Sequence, residues 1–490
     1  MMKRCFVPLI VSLLLVSVIF AQTQNSRPYA TLDRGATFLV SSGIGSQVQV
    51  GYGRIQPNAG TVTPAAYAQF EFAPAGVTVS EATVAATPPI LSGRIYAEVG
   101  GSVNTGVAIA NPNAQPATVT FYLTNASGQN FGQGAVTIPA GGQMAKFLNE
   151  VPFTAAAGIS GSFTFNSNMP IGVTAIRGLV NERGEFLITT LPISDLSASS
   201  NVLLFPHFAD GGGWTTQVVL VNPTDSPVSG TVFFRGQGSA VTPADTLVVT
   251  VNGQSGLTFP YTIPARSSVN LRTSGQSSNI IAGSVHVTPA SGSTAPSGLV
   301  IFTFRNGGVT VTEAGVPVLR SSSAFRLFIE ERSESGSDIR QTGIAIANPG
   351  SGGATVNLEL TALNGSPVAA STVTVSGNGQ IALFVRDIPA FAAAFADHFH
   401  GVLRVTTNSP DGICVVALKG RYNARRDFLI TTALASDENA SPGNSELLFP
   451  HVVTGGGYLT EYVFFSGLPG RATSGTTVFF NQSGQPANGF

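Results

Sequence analysis

The chain repeats itself, and the repeat limits what it can fold into more than any other feature. GVAIANPNAQPATVTFYL at 106–123 and GIAIANPGSGGATVNLEL at 343–360 share a register in which Asn111-Pro112 falls on Asn348-Pro349, an offset of 237. NERGEFLITT at 181–190 matches NARRDFLITT at 423–432, an offset of 242. These segments define a unit A. A unit B follows each A: LLFPHFADGGGWTT at 203–216 returns as LLFPHVVTGGGYLT at 447–460, an offset of 244. A and B are distant copies of each other, because VVLVNPTDSPVSGTVFF at 218–234 carries the Asn-Pro pattern of A and TIPA at 137–140 recurs at 262–265. Asn-Pro turns at 111, 222 and 348 are spaced like β-sandwich domains of ~100 residues.

The two ends complicate this order. Residues 34–81 align without a gap with 266–313, an offset of 232 that pairs Arg34 with Arg266, Phe70 with Phe302 and Glu81 with Glu313. The chain thus holds the second half of a B unit near its start and the first half of another near Phe490. The expected division is a signal peptide at 1–21, a half sandwich at 29–90, sandwich A1 at 91–198, sandwich B1 at 199–321, sandwich A2 at 322–438 and a half sandwich at 445–490. The closing turn NQSGQPANGF predicts a chain that continues past Phe490. The alternative is self-association, in which terminal half units exchange strands and build a head-to-tail fibre. Closure within one chain into a ring is sterically harder, and the remaining alternative is half units that fold independently.

Inside each unit, segments such as TGVAIAN, ATVTFYL and GSFTF alternate apolar with small or polar residues at period two, the strand signal. Clusters such as NPNAQP and PAGG punctuate them. One stretch breaks the pattern: GQMAKFLNEVPF at 142–153 and GQIALFVRDIPAFAAAFADHF at 379–399 predict a short helical crossover in the A units. Charged residues are only 10% of the chain against about 25% in ordinary domains. Its net charge of −1 gives no field for nucleic acid. Lys3 and Arg4 ahead of the apolar stretch from Phe6 to Phe20 read as a secretory signal ending at Ala21, which places the protein outside the cell or on its surface, with no membrane span after cleavage. Cys414 is then the remaining cysteine, expected in a buried strand.

A strand ending in Asn-Pro, a tight turn and a Val/Thr-rich strand resemble the tandem immunoglobulin-like or fibronectin-III-like domains of bacterial secreted proteins. The fold class this implies is all-β, a row of immunoglobulin-like β-sandwiches. The Cys…Trp…Cys core of antibody domains is absent from the sequence.

Few side chains point to chemistry. GGGWT at 211–215 and GGGYL at 455–459 lack the Lys and the following helix of a phosphate loop. Trp214 and Tyr458 are expected to pack back on the sandwich, or to serve as platforms for sugar rings. His398 and His400, with Asp397 adjacent, are weak metal candidates. The basic hairpin of Arg421, Arg425 and Arg426 either blunts a sheet edge or meets an anionic polymer. EERSESGSDIR at 330–340 reads as a loop. No nucleophile elbow, carboxylate pair or His-Glu-x-x-His pattern is visible, so neither an enzyme nor a cofactor is expected. The reading is an exported, non-catalytic structural or adhesive repeat protein whose partners are a surface polysaccharide or another protein. An array of carbohydrate-binding modules using Trp214 and Tyr458 is the alternative.

Overall fold

The computed structural model describes residues 26–490 apart from 44, 195, 197–201, 240–241, 333–337, 397, 434, 441–445 and 467. The expected signal segment therefore lies outside the described residues. The chain is all-β, in several antiparallel sheets.

Unit B1 shows the plan. One sheet runs in the order Leu203–Asp210, Ile281–Pro289, Val228–Arg235, Thr258–Ile263. The other runs Ser268–Arg272, Trp214–Val221, Ser297–Asn306, Val309–Pro317. Alternate residues of both sheets, among them Phe205, Val218, Val232, Val285 and Phe302, meet in one buried cluster, as period-two patterning requires. A2 keeps this order and adds a short strand, Ala435–Asp437, to its first sheet. In A1 the two strands that A2 separates by a turn at Ser409–Gly412 run on as one, Ile159–Val180, which joins both layers into a seven-stranded sheet.

The terminal segments complete each other within the one chain. Ser26–Thr31, Thr473–Asn481, Gln49–Pro57 and Leu447–Thr454 form one sheet. Ala36–Val40, Tyr458–Phe465, Ala65–Phe72 and Ser80–Ala85 form the other. Strands from the two ends interleave, in the same order as B1, and Phe449, Tyr462, Phe464 and Phe479 from the C-terminal side pack on Ile55, Ala68 and Phe70 from the N-terminal side. We call this composite unit B2. The crowding expected of such closure is absent because the four units stand in a ring. B2 meets A2 on one side, through Tyr67, Val463, Phe328 and Val402. It meets A1 on the other, where Leu448 lies against Gly172.

The edge strand that ends the second sheet of B1, B2 and A2, and its A1 counterpart Phe186–Leu191, face the middle of the ring. Ser80–Ala85 touches Phe186–Leu191 and Phe428–Ala433, and Val309–Pro317 touches the same two from the opposite side. The contacts repeat with the sequence offsets. The Ile188 amide donates to Ser80 Oγ at 2.8 Å, and the Ile430 amide to Thr312 Oγ1 at 3.0 Å. Thr190 Oγ1 donates to the Thr83 carbonyl at 2.7 Å, and Thr432 Oγ1 to the Gly315 carbonyl at 2.8 Å. The ring thus has a pseudo-twofold axis relating A1 to A2 and B1 to B2.

The expected helical crossover takes a different form. In A1 the stretch is a strand, Gln143–Phe147, followed by turns. In A2 it is a strand, Gln380–Phe384, and two single 3-10 turns, Val385–Asp387 and Pro389–Phe391. Pro389 stands at the second turn's start, where its missing N–H costs no helical bond. The residues 330–340 expected as a loop begin in a strand, with Glu330 and Glu331 both buried at the end of Ala324–Glu331.

Truncating one side chain from the C-terminal half should weaken the composite unit. Phe464 is fully buried and stacks on Tyr29 at 4.7 Å. Phe464→Ala is expected to cost about 3–5 kcal/mol, measured by denaturant unfolding of the full chain.

Candidate functional site

Two kinds of site follow from the ring: ion pairs where units meet, and clefts between neighbouring B and A units.

The scarce charges collect where units meet. The hairpins Asn181–Glu185 and Asn423–Asp427 face each other across the pseudo-twofold axis. Each is shaped by its leading asparagine: Asn181 Oδ1 accepts from the Arg183 and Glu185 amides, and Asn423 Oδ1 from those of Arg425 and Asp427. The amide groups of the same side chains donate to the carbonyls of Thr310 and Thr78 in the adjoining B units. Arg183 then pairs with Asp427 at 2.6 Å and Arg425 with Glu185 at 2.5 Å, a reciprocal exchange between A1 and A2.

Deeper in, Arg421 is engaged by Glu81 at 2.7 Å, Glu71 at 2.8 Å and Asp338 at 2.6 Å. Lys419 donates to Gln69 at 2.7 Å and pairs with Glu330 at 3.1 Å. Against the upward push of burial, Lys419, His400 and Arg340 hold the Glu330 carboxyl well below its usual range. Between A1 and B1, Arg177 bridges Glu98 and Glu313. Arg421 is buried in this lattice and Arg425 is half-covered by its partners, whereas Arg426 stays exposed. His400 stacks on Phe328 at 5.9 Å and lies 3.7 Å from Glu330, His398 is exposed, and Asp397 lies outside the described residues. Among the described residues no group of three or more His, Cys, Asp or Glu could hold a metal ion. Cys414 is buried, and burial pushes its thiol up to about 12.

The clefts occur as a pseudo-symmetric pair. Between B2 and A1, Phe70, His451, Tyr458, Phe147, Ile176 and Ile188 line a space of about 190 Å³. Between B1 and A2, their counterparts Phe302, His207, Trp214, Phe384, Leu418 and Ile430 line about 720 Å³. The aromatic position is set by the three glycines before it. Gly211–Gly213 and Gly455–Gly457 all have positive φ, and a Cβ on Gly211 would stand 2.2 Å from the Asn279 carbonyl, so only glycine makes this turn. Trp214 emerges stacked on Phe304 at 4.7 Å and Tyr458 stacked on Phe72 at 4.4 Å. One face of each ring is thus covered, and both residues are half-buried. On the cleft floor Gln380 Nε2 lies 3.1 Å from His207 Nδ1, and burial pushes that imidazole down to about 4.

Sequence reasoning had singled out Trp214 and Arg426 separately; the fold brings them to one cleft. It gave no pairing to Lys419, Glu330 and Glu313, whose partners lie far away in the chain. The alignment of Glu81 with Glu313 was the available signal, since both take an arginine from an adjoining A unit.

No family model matches the chain, and no curated protein does. Among solved structures it is similar to Thermotoga maritima 1070, at 14% identity and TM-score 0.20 over 25% of this chain and 100% of that one. It is also similar to the infectious bursal virus derived T=1 particle protein, at 9% identity and TM-score 0.11, over 87% of this chain and 80% of that one. A third is the Bacteroides ovatus mixed-linkage glucan utilization locus protein SGBP-B, at 12% and 0.11, over 65% and 94%. Likeness at these TM-scores bears on neither fold nor function.

Two outcomes are expected. Lys419→Met removes one of the two cations on the buried Glu330 carboxylate, Arg340 staying at 2.8 Å, and should cost about 1.5–3 kcal/mol, whereas Arg425→Ala, at an exposed pair, should cost less than about 1 kcal/mol; chemical denaturation compares them. The second concerns acid. His207, His286 and His451 all have folded values pushed by burial from 6.5 to about 4. Between those values the unfolded chain binds more protons, so their stabilising contribution is complete above about pH 6.5 and is lost as pH falls towards 4. His207→Gln should flatten that part of the stability–pH curve.

Proposed function

We propose that this chain is an exported, non-catalytic structural or adhesive repeat protein that acts outside the cell or on its surface. The observation that supports this reading is where the charges go. In a chain so poor in ionisable residues, Arg177, Arg183, Arg421 and Arg425 pair with carboxylates across unit boundaries, and Lys419, paired with Glu330 inside A2, donates to Gln69 of B2. Charge used in this way fixes the angles between sandwiches and makes four units one stiff body. A stiff β body that holds its loops at set distances suits a scaffold or an adhesin facing a polysaccharide or another protein. The apolar stretch behind Lys3 and Arg4 supplies the route of export.

Fractionation of the source cells tests the reading. The chain should be recovered outside the cytoplasm with its first 21 residues removed, and protease added to intact cells should reach any copy kept on the surface. Recovery in the cytoplasm with those residues still attached overturns it.

A further inference from the structure

The two clefts are copies of one design that have diverged, and the divergence is chemical. An acid stands on the A-unit wall of both, Glu150 in the smaller and Asp387 in the larger. In the smaller cleft Lys146 neutralises it at 3.4 Å. In the larger the lysine position is Leu383, and a cation enters instead from the far hairpin: Arg426 lines the cleft where A1 has Gly184. Arg426 adopts φ 65°, the left-handed backbone its glycine counterpart accepts readily and an arginine does not. Its side chain is exposed and in no ion pair among the described residues. The floor is also wider, because Ala209 and Ala282 stand where the smaller cleft has Val453 and Val50. The walls are mostly aliphatic and aromatic, with Phe428 edge-on to Trp214 at 6.4 Å and Tyr422 inclined on Phe428 at 5.0 Å.

We propose that the cleft between B1 and A2 binds a small apolar molecule that carries an anionic group, its apolar body between Trp214 and Leu418 and its anion on Arg426. The apolar floor would leave the hydroxyls of a sugar without partners, whereas it suits an aromatic or acyl body. Both clefts carry an acid and a cation, but in the smaller one Lys146 is paired with the acid, whereas Arg426 is in no ion pair among the described residues, so an anion is what the larger cleft has gained the means to recognise. A guanidinium at the mouth is suited to two parallel bonds with a carboxylate, sulfonate or phosphate. The proposal goes beyond the scaffold reading and does not rest on it.

Trp214 is the only tryptophan of the chain, so its emission reports this cleft and not its sibling. The full chain is titrated with 1-anilinonaphthalene-8-sulfonate and, in parallel, with the uncharged N-phenyl-1-naphthylamine. Both should quench Trp214 saturably at one molecule per chain. Arg426→Gly, which suits the backbone there, should weaken the sulfonate on the order of tenfold and leave the neutral dye unchanged. Asp387→Asn should not weaken the sulfonate. Ala209→Val with Ala282→Val, which copies the smaller cleft, should weaken both dyes while thermal unfolding stays cooperative. The proposal is overturned if the sulfonate gives no saturable quenching, if Arg426→Gly leaves its affinity unchanged, or if neutral oligosaccharides quench Trp214 and the dyes do not.

Discussion

Pairing between the two ends of the chain is the constraint on which the rest depends. Both sheets of B2 mix strands from residues 26–85 with strands from 447–481, so neither end has a complete sandwich by itself. A sheet left half built exposes unpaired backbone and apolar faces. When the ends meet, both costs vanish together, and the meeting fixes the order of all four units around the ring. The inner strands then come close enough for threonine and serine side chains to bond across unit boundaries.

Low charge takes its meaning from that closure. A row of separate sandwiches could leave its few ions in water, where each pair contributes little. In the ring several of them are drawn into contacts between units and lose their solvent. Glu81, Glu313, Glu330, Lys419 and Arg421 are buried, and each has a partner of opposite sign from another strand. Removing one partner then strands a charge, so pairs of this kind enforce one arrangement of units more than they add net stability.

Pseudo-symmetry explains how one chain holds both a conserved frame and a divergent feature. Positions that carry the ring, such as Asn181 and Asn423 or Ile188 and Ile430, match across the repeat. Positions that only line the clefts are free of that duty. Lys146 against Leu383, Gly184 against Arg426 and Val50 against Ala282 are differences that packing of the ring does not require.

Much of the frame is legible in the residues. Period-two alternation shows the strands, Gly and Pro clusters mark the turns, and the offsets show four related units with a B unit divided between the ends. These are local or repeated features, and short-range sterics and burial write them directly into the chain. The helical crossover misled because Ala- and Phe-rich composition resembles a helix face while Pro389 and the sheet edge decide otherwise. What the sequence by itself determined is therefore the all-β class, the repeat and the divided unit. Only the tertiary structure decided that the halves join within one chain, that Arg421 faces carboxylates and not solvent, and that Trp214 and Arg426 share a cleft. Each of these depends on which distant surfaces come into contact, and pairing across hundreds of residues leaves no local pattern from which to read it.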